Sequence, residues 1–152
     1  MAQIPRHLFV PQIDVYAAYL DQAVMVKHAK DGSAISSASQ PMIVATMLEQ
    51  LQVSPGHHVL EIGTGSGYNA ALLGALCGSS GGVVTVELEP DLAERAAQIL
   101  ADLGYDQVQV VVGDGREGYS PQEPYDRFIV TAGASEVAIA WSEVAQKLWT
   151  RC

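Results

Sequence analysis

The chain has 152 residues, enough for one domain with a sizeable core. Apolar residues make up 49% and charged residues 16%, which marks a folded globular chain and excludes a disordered one. A net charge of −9 argues against binding to a phosphate backbone, so no nucleic-acid partner is expected.

No apolar run nears the ~20 residues of a membrane span, and the N-terminus lacks a signal-like apolar stretch. Cys77 and Cys152 suggest no disulfide framework. A cytoplasmic protein without a membrane partner is the expectation.

In chain order, Pro5 and Pro11 bracket an apolar trio, Leu8-Phe9-Val10, followed by a segment with Tyr16 and Tyr19. Two prolines disfavour a helix, so residues 1–32 read as an extended arm packed on the core. Residues 33–41 (Ser33-Ala34-Ile35-Ser36-Ser37-Ala38-Ser39-Gln40-Pro41) read as a loop feeding a helix, with Ser39 or Gln40 as N-cap and Pro41 in the first turn. Ile43, Met47 and Leu51, with Val44 and Leu48 alongside, give that helix one apolar stripe. Ser54-Pro55-Gly56 ends it.

Residues 59–62 then form an apolar strand, followed by Gly63-Thr64-Gly65-Ser66-Gly67 and an Ala/Leu-rich helix from Ala70 to Leu76. Glycines here allow both a sharp strand-to-helix turn and close approach of a ligand to the backbone. A dinucleotide fingerprint needs G-x-G-x-x-G, with its third glycine where Tyr68 stands, and no Gly-Lys-Ser/Thr follows as in a phosphate loop. The loop therefore matches neither of these phosphate-binding patterns.

A second strand, residues 83–87, ends in Glu87, placed to bind a ribose diol from outside the core. A helix with Pro90 in its first turn follows and stops before Gly104. A third strand (108–112) runs into Gly113-Asp114-Gly115, where Asp114 can accept from an adenine amino group. After a loop around Pro121 and Pro124 come a fourth strand (127–131) and a last helix from about Glu136 to Leu148. Strands alternating with helices imply right-handed βαβ units and a parallel sheet with helices on both faces. The ends of all these strands, from Gly63 to Thr131, then share one edge, where such folds bind ligands.

Together, Glu61-x-Gly63-x-Gly65-x-Gly67 and the strand-end acid resemble motif I of the class I S-adenosylmethionine (SAM) methyltransferases. The blocks Pro5-Arg6-His7-Leu8-Phe9-Val10-Pro11, Ser39-Gln40-Pro41, Leu60 to Ala71, Val112-Gly113-Asp114-Gly115 and Pro124-Tyr125-Asp126 resemble the protein L-isoaspartate O-methyltransferases over residues 4–145. The resemblance implies a Rossmann-like α/β fold: an N-terminal arm and loop (1–38) and a SAM-binding core (39–152), in a single domain. It implies that Ser39 is the active-site residue beside the methyl donor. It implies that SAM is held by Ser36, Ser37 and Ala38, and by Glu61, Gly63, Thr64, Gly65, Gly67, Tyr68 and Asn69 around the glycine loop. Glu87 and Leu88, Asp114 and Gly115, and Thr131 complete that set. The stretch Ser36-Ser37-Ala38-Ser39 is similar to a branch that methylates aspartate side chains of ribosomal peptides in actinobacterial peptide-modification systems. The family continues past the last helix with three more strands that have no counterpart here.

Methyl transfer from a sulfonium to a carboxylate is an in-line displacement that positioning and desolvation can drive, so neither a metal nor a covalent intermediate is expected. Ser39 would orient the acceptor carboxylate by hydrogen bonding. His57 and His58 read as solvated turn residues remote from the ligand. Two other readings stay open: a biosynthetic enzyme of the same fold catalysing a different reaction such as cyclisation, and a non-catalytic SAM-binding remnant. The edge of the fourth strand and the stripe Val137, Trp141, Val144 and Leu148 on the last helix suggest a homodimer.

Overall fold

A computed structural model describes residues 3–149, of which 146–149 are described by their backbone alone. Cys152 lies outside the described residues, as does the side chain of Leu148. The N-terminal segment is not extended. It folds into a 3-10 turn (Arg6–Phe9), a one-turn helix α1 (Val15–Ala18) and an antiparallel hairpin of β1 (Val24–His28) and β2 (Ala34–Ala38). Local chemistry explains the difference. Asp14 Oδ1 caps α1 by accepting from the Tyr16 and Ala17 amides at 2.8 and 3.4 Å. Asp31-Gly32, with Gly32 at φ +86°, turns the hairpin between the two strands. Residues 34–38 are thus a strand, not a loop.

α2 (Pro41–Leu51) begins at Pro41, as expected, with Gln40 at its N-cap. Its apolar stripe forms as expected except at Ile43, which is half exposed: Val44 and Leu48 are buried, and Met47 and Leu51 are partly buried. Beyond it come β3 (His58–Ile62), α3 (Tyr68–Cys77), β4 (Gly82–Glu87), α4 (Pro90–Asp102), β5 (Val108–Val112), β6 (Arg127–Val130) and α5 (Ile139–Trp149). The strands form one parallel sheet in the order β5-β4-β3-β6.

Period-two alternation decides which side chain faces which layer. Val59, Val83 and Ile129 join α2, α3 and α4 in one core layer, which also takes Phe9 from the N-terminal turn. Leu60, Ile62, Val84 and Val86 face the other layer, with Tyr125 and Trp141 of α5. The described part of the last helix therefore packs on its own sheet. Trp141 and Val144 are buried, and the Trp141 ring lies 6.1 Å from Phe128 and donates Nε1–H to the Gly115 carbonyl at 2.7 Å. Val137 alone of the described stripe is exposed. Cys77 is buried in α3, where desolvation pushes its thiol up to about 11.

The chain reverses direction across the sheet between β3 and β6, which makes the carboxyl ends of these two strands the switch point. Gly63 sits there at φ +100°, and a Cβ on it would lie 2.8 Å from the Ala132 amide nitrogen. Gly63→Ala should therefore lower stability by at least about 2 kcal/mol through combined strain and clash. A thermal melt within a degree of the parent would contradict that close approach.

Candidate active site

A cleft of about 340 Å³ opens at the switch point between the hairpin, the start of α2 and the β3–α3 loop. Its wall includes Ser36 to Ser39, the glycine-loop residues Gly63, Thr64 and Gly65, Tyr68 and Asn69 at the start of α3, Glu87 and Leu88, and Thr131. Four of the expected residues do not line this cleft. Glu61 is fully buried behind the wall, and Gly67 is the N-cap of α3, packed on Ala96 of α4. Asp114 and Gly115 lie off the cleft. The Asp114 carboxylate is forked by Arg116, whose hydrogen bonds hold it down at about 2, and a Cβ on Gly115 would run into Ile62.

The glycine loop is fixed from two sides. Gly65, at φ +53°, donates its N–H to Glu87 Oε2 at 2.8 Å, and a Cβ there would press on Ser36 Oγ at 3.3 Å. Glu87 also accepts from the Glu89 amide at 3.1 Å and is only 8% exposed. This corrects the view of Glu87 as a carboxylate outside the core: it organises two turns as well as facing the cleft.

Behind the loop runs a polar chain. Asn69 Nδ2 donates to Glu61 Oε1 at 2.7 Å, Thr85 Oγ1 donates to Glu61 Oε2 at 2.7 Å, and the Thr85 and Thr64 hydroxyls lie 2.7 Å apart. Burial raises the Glu61 carboxyl to about 7 against the hydrogen bonds from Asn69 and Thr85, which favour the charged form. Asn69 Oδ1 is buried on the cleft wall and has no partner among the described residues. An orphaned acceptor of this kind fits a cationic N–H donor in the cleft.

The lining contains the carboxylates Glu87 and Glu89 and, among the described residues, no Lys, Arg or His. The site suits a cationic ligand. Lys27 on β1 bridges Glu89, which lines the cleft, and Asp91 at 2.6 and 2.5 Å, which ties the hairpin to the start of α4. Sequence reasoning missed Glu89, Met47 and Ala132 as cleft residues, because only the packing of α2 and the strand ends brings them to one wall.

Ser39 faces the cleft and does not cap α2, whose N-cap is Gln40 without a side-chain bond. His57 and His58 lie at the opposite end of β3, with His58 N–H bound to Asp126 and His57 Nδ1 accepting from Ser54 N–H. His7, without an evident partner in the sequence, shares a 2.8 Å hydrogen bond with the Tyr19 hydroxyl. Among the described residues no group of three His, Cys, Asp or Glu could hold a metal ion, and no helix is long and apolar enough to cross a membrane.

Comparison with known proteins agrees with this geometry. The profile of the protein-L-isoaspartate(D-aspartate) O-methyltransferases matches residues 1–146. Protein-L-isoaspartate O-methyltransferase 2 of Archaeoglobus fulgidus is 46% identical over 135 residues, which is 89% of this chain and 59% of the relative. The Methanococcus maripaludis enzyme is 42% identical over 143 residues, 94% of this chain and 65% of the relative. The chain thus spans about three-fifths of the length of these relatives. A solved protein-L-isoaspartate O-methyltransferase, 34% identical, superposes with a TM-score of 0.84 over 93% of this chain and 44% of its own. A Plasmodium falciparum structure in complex with S-adenosyl-L-homocysteine shares the fold, with a TM-score of 0.77 at 20% identity over 94% of this chain and 68% of its own. By sequence and by fold, the chain belongs to the protein-L-isoaspartate(D-aspartate) O-methyltransferase family.

Proposed function

We propose that this chain binds S-adenosylmethionine in the cleft and transfers its methyl group to the side-chain carboxylate of an isoaspartyl or aspartyl residue in a peptide or protein. One observation carries the reading: the glycine loop, Glu87 and Ser39 line a single cleft that carries carboxylates and no cationic side chain. Bound there, S-adenosylmethionine supplies a methyl carbon made electrophilic by its sulfonium charge. The acceptor carboxylate is already anionic at neutral pH, so the residues need not remove a proton. In that transfer the carboxylate oxygen would take the methyl carbon, and the C–S electron pair would leave with sulfur.

The chain's residues divide that work. Glu87 would accept from the ribose hydroxyls through lone pairs that the Gly65 and Glu89 amides leave open. Asn69 Oδ1 and the Glu61 carboxylate behind it favour the positive end of the ligand. Asp114 enters the reading at the adenine amino group, through lone pairs outside the Arg116 fork. Ser39 donates its hydroxyl to the acceptor carboxylate and holds it in line.

Ser39→Ala should therefore lower kcat at least about tenfold while changing SAM affinity by less than about threefold. Turnover equal to the parent at saturating peptide would remove Ser39 from the reaction. Lys27→Met should speed release of S-adenosylhomocysteine by a few-fold and weaken the salt dependence of that rate, because Lys27 holds the cleft residue Glu89 through a partly exposed, salt-screened ion pair. Stopped-flow release at low and high salt measures both; identical rates would rule out that role for Lys27.

A homodimer and a cytoplasmic setting belong to the same proposal. β6 pairs with β3 alone among the described residues, which leaves its other edge open to a second chain. Light scattering that finds monomer at micromolar concentration would reject the dimer.

A further inference from the structure

Ser39 stands at the join of β2 and α2, and nothing within those two elements holds it in place. Gln40, the N-cap of α2, makes no side-chain cap bond, so the first-turn amides of the helix need partners from elsewhere. They find one in Asp21, whose Oδ1 accepts from the Met42 amide at 2.9 Å and whose Oδ2 accepts from Gln40 Nε2 at 2.8 Å. On the other side, Arg6 donates Nη1–H to the Ser39 carbonyl at 2.9 Å and Nη2–H to the Gln22 carbonyl at 3.4 Å. The turn that carries Asp21 and Gln22 is thus linked twice to the turn that carries Ser39, Gln40 and Met42. The two links close a ring around the Ser39 backbone.

Arg6 sits at high cost. It is 1% exposed, its Nε–H has no partner among the described residues, and its guanidinium is compensated by two carbonyls and the face of Tyr68, 5.5 Å away. An apolar side chain of similar volume would fill that space without burying a charge. What only the guanidinium supplies is the simultaneous grip on the Ser39 and Gln22 carbonyls.

We propose that Arg6 and Asp21 are positioning residues for methyl transfer: together they fix the Ser39 turn, and so aim the Ser39 hydroxyl at the acceptor carboxylate. The inference rests on the function proposed above for Ser39. Neither residue lines the cleft. Their effect passes through the Ser39 carbonyl and the Met42 amide, and it should appear in turnover and not in SAM affinity.

The test uses Arg6→Met, Arg6→Lys and Asp21→Ala in the full chain, with an isoaspartyl peptide as acceptor. Asp21 is an exposed residue, so its variant keeps the test open even where Arg6→Met fails to fold. Three quantities are read: kcat at saturating SAM, SAM affinity by calorimetry, and amide hydrogen exchange. The expected result is a kcat lowered about tenfold or more with SAM affinity held within about threefold. Amides 39–42 should exchange faster while those of β3 and β4 keep their protection, and Arg6→Lys should recover part of the loss. Unchanged kcat in Asp21→Ala overturns the proposal. So does a uniform rise in exchange with kcat and affinity falling together, which would mark general destabilisation. Should the parent chain methylate no peptide, the functional reading fails, and the exchange pattern of residues 39–42 alone decides whether the ring positions Ser39.

Discussion

Glu87→Ala should weaken SAM binding about a hundredfold, the largest loss expected of any single cleft residue. Removing a charge-assisted hydrogen bond to the ribose costs about 1.5–3 kcal/mol. A second loss follows because Glu87 Oε2 holds the Gly65 amide and Oε1 holds the Glu89 amide. Without the carboxylate, both N–H groups lose their acceptor, and the glycine loop loses the bond that sets its distance from Ser36. Glutamine does not rescue this arrangement. One of its two terminal atoms is an NH2 donor, which would face a backbone N–H donor at either position. Calorimetry on Glu87→Ala and Glu87→Gln should find both weakened. Parent-like affinity in either folded variant would show that the ribose lies elsewhere.

The second large effect is a dependence on pH through Glu61. Its carboxyl is raised from 4.5 to about 7, chiefly by burial. Between those values the native state keeps a proton that the unfolded chain has released, so stability falls as pH rises through this window and levels off above about 7. The loss approaches 1.4 kcal/mol per pH unit, about 3 kcal/mol in all. Asp114, lowered to about 2 by Arg116, works in the opposite sense: its contribution is present above 3.8 and lost as pH falls through about 2, outside the Glu61 window. Glu61→Gln keeps an acceptor for Asn69 and can donate to Thr85, which can donate in turn to Thr64. The variant should therefore fold, melt higher than the parent at about pH 8, and lose the slope between about pH 5 and 7. It should also bind SAM more weakly than the parent at about pH 8, where Glu61 is ionised behind a cationic ligand. Parallel melting profiles for the two proteins would refute a buried titrating carboxyl.

The contrast between Glu87 and Arg6 shows what the sequence made legible. Apolar runs of the right length mark each strand of the main sheet to within a residue or so, most clearly β3 and β4, which are buried on both faces and leave a continuous signal. The glycine loop and the acid ending β4 were readable for the same reason: their spacing is local, and the fold puts strand ends on one edge. The N-terminal segment was misread because its two prolines hid a capped turn, and because the Asp31-Gly32 hairpin signal was passed over. The stripe on α2 holds except at Ile43. Ile43 and Val44 are equally apolar, and only the placement of the helix beside β6 decides which is buried. Asp114 is legible as a candidate ligand from its place after β5, but nothing in the sequence says that Arg116, two positions on, also forks its carboxylate. The Lys27 bridge and the Arg6–Ser39 contact join residues more than thirty positions apart, and no periodicity in the sequence announces such pairs.

The most direct test supplies SAM labelled on its methyl group together with an isoaspartyl peptide and its plain aspartyl counterpart. Expected is label on the peptide as a base-labile ester, released as methanol, and most of it lost in Ser39→Ala. Saturated SAM binding with no label on either peptide would contradict carboxyl methylation by this chain.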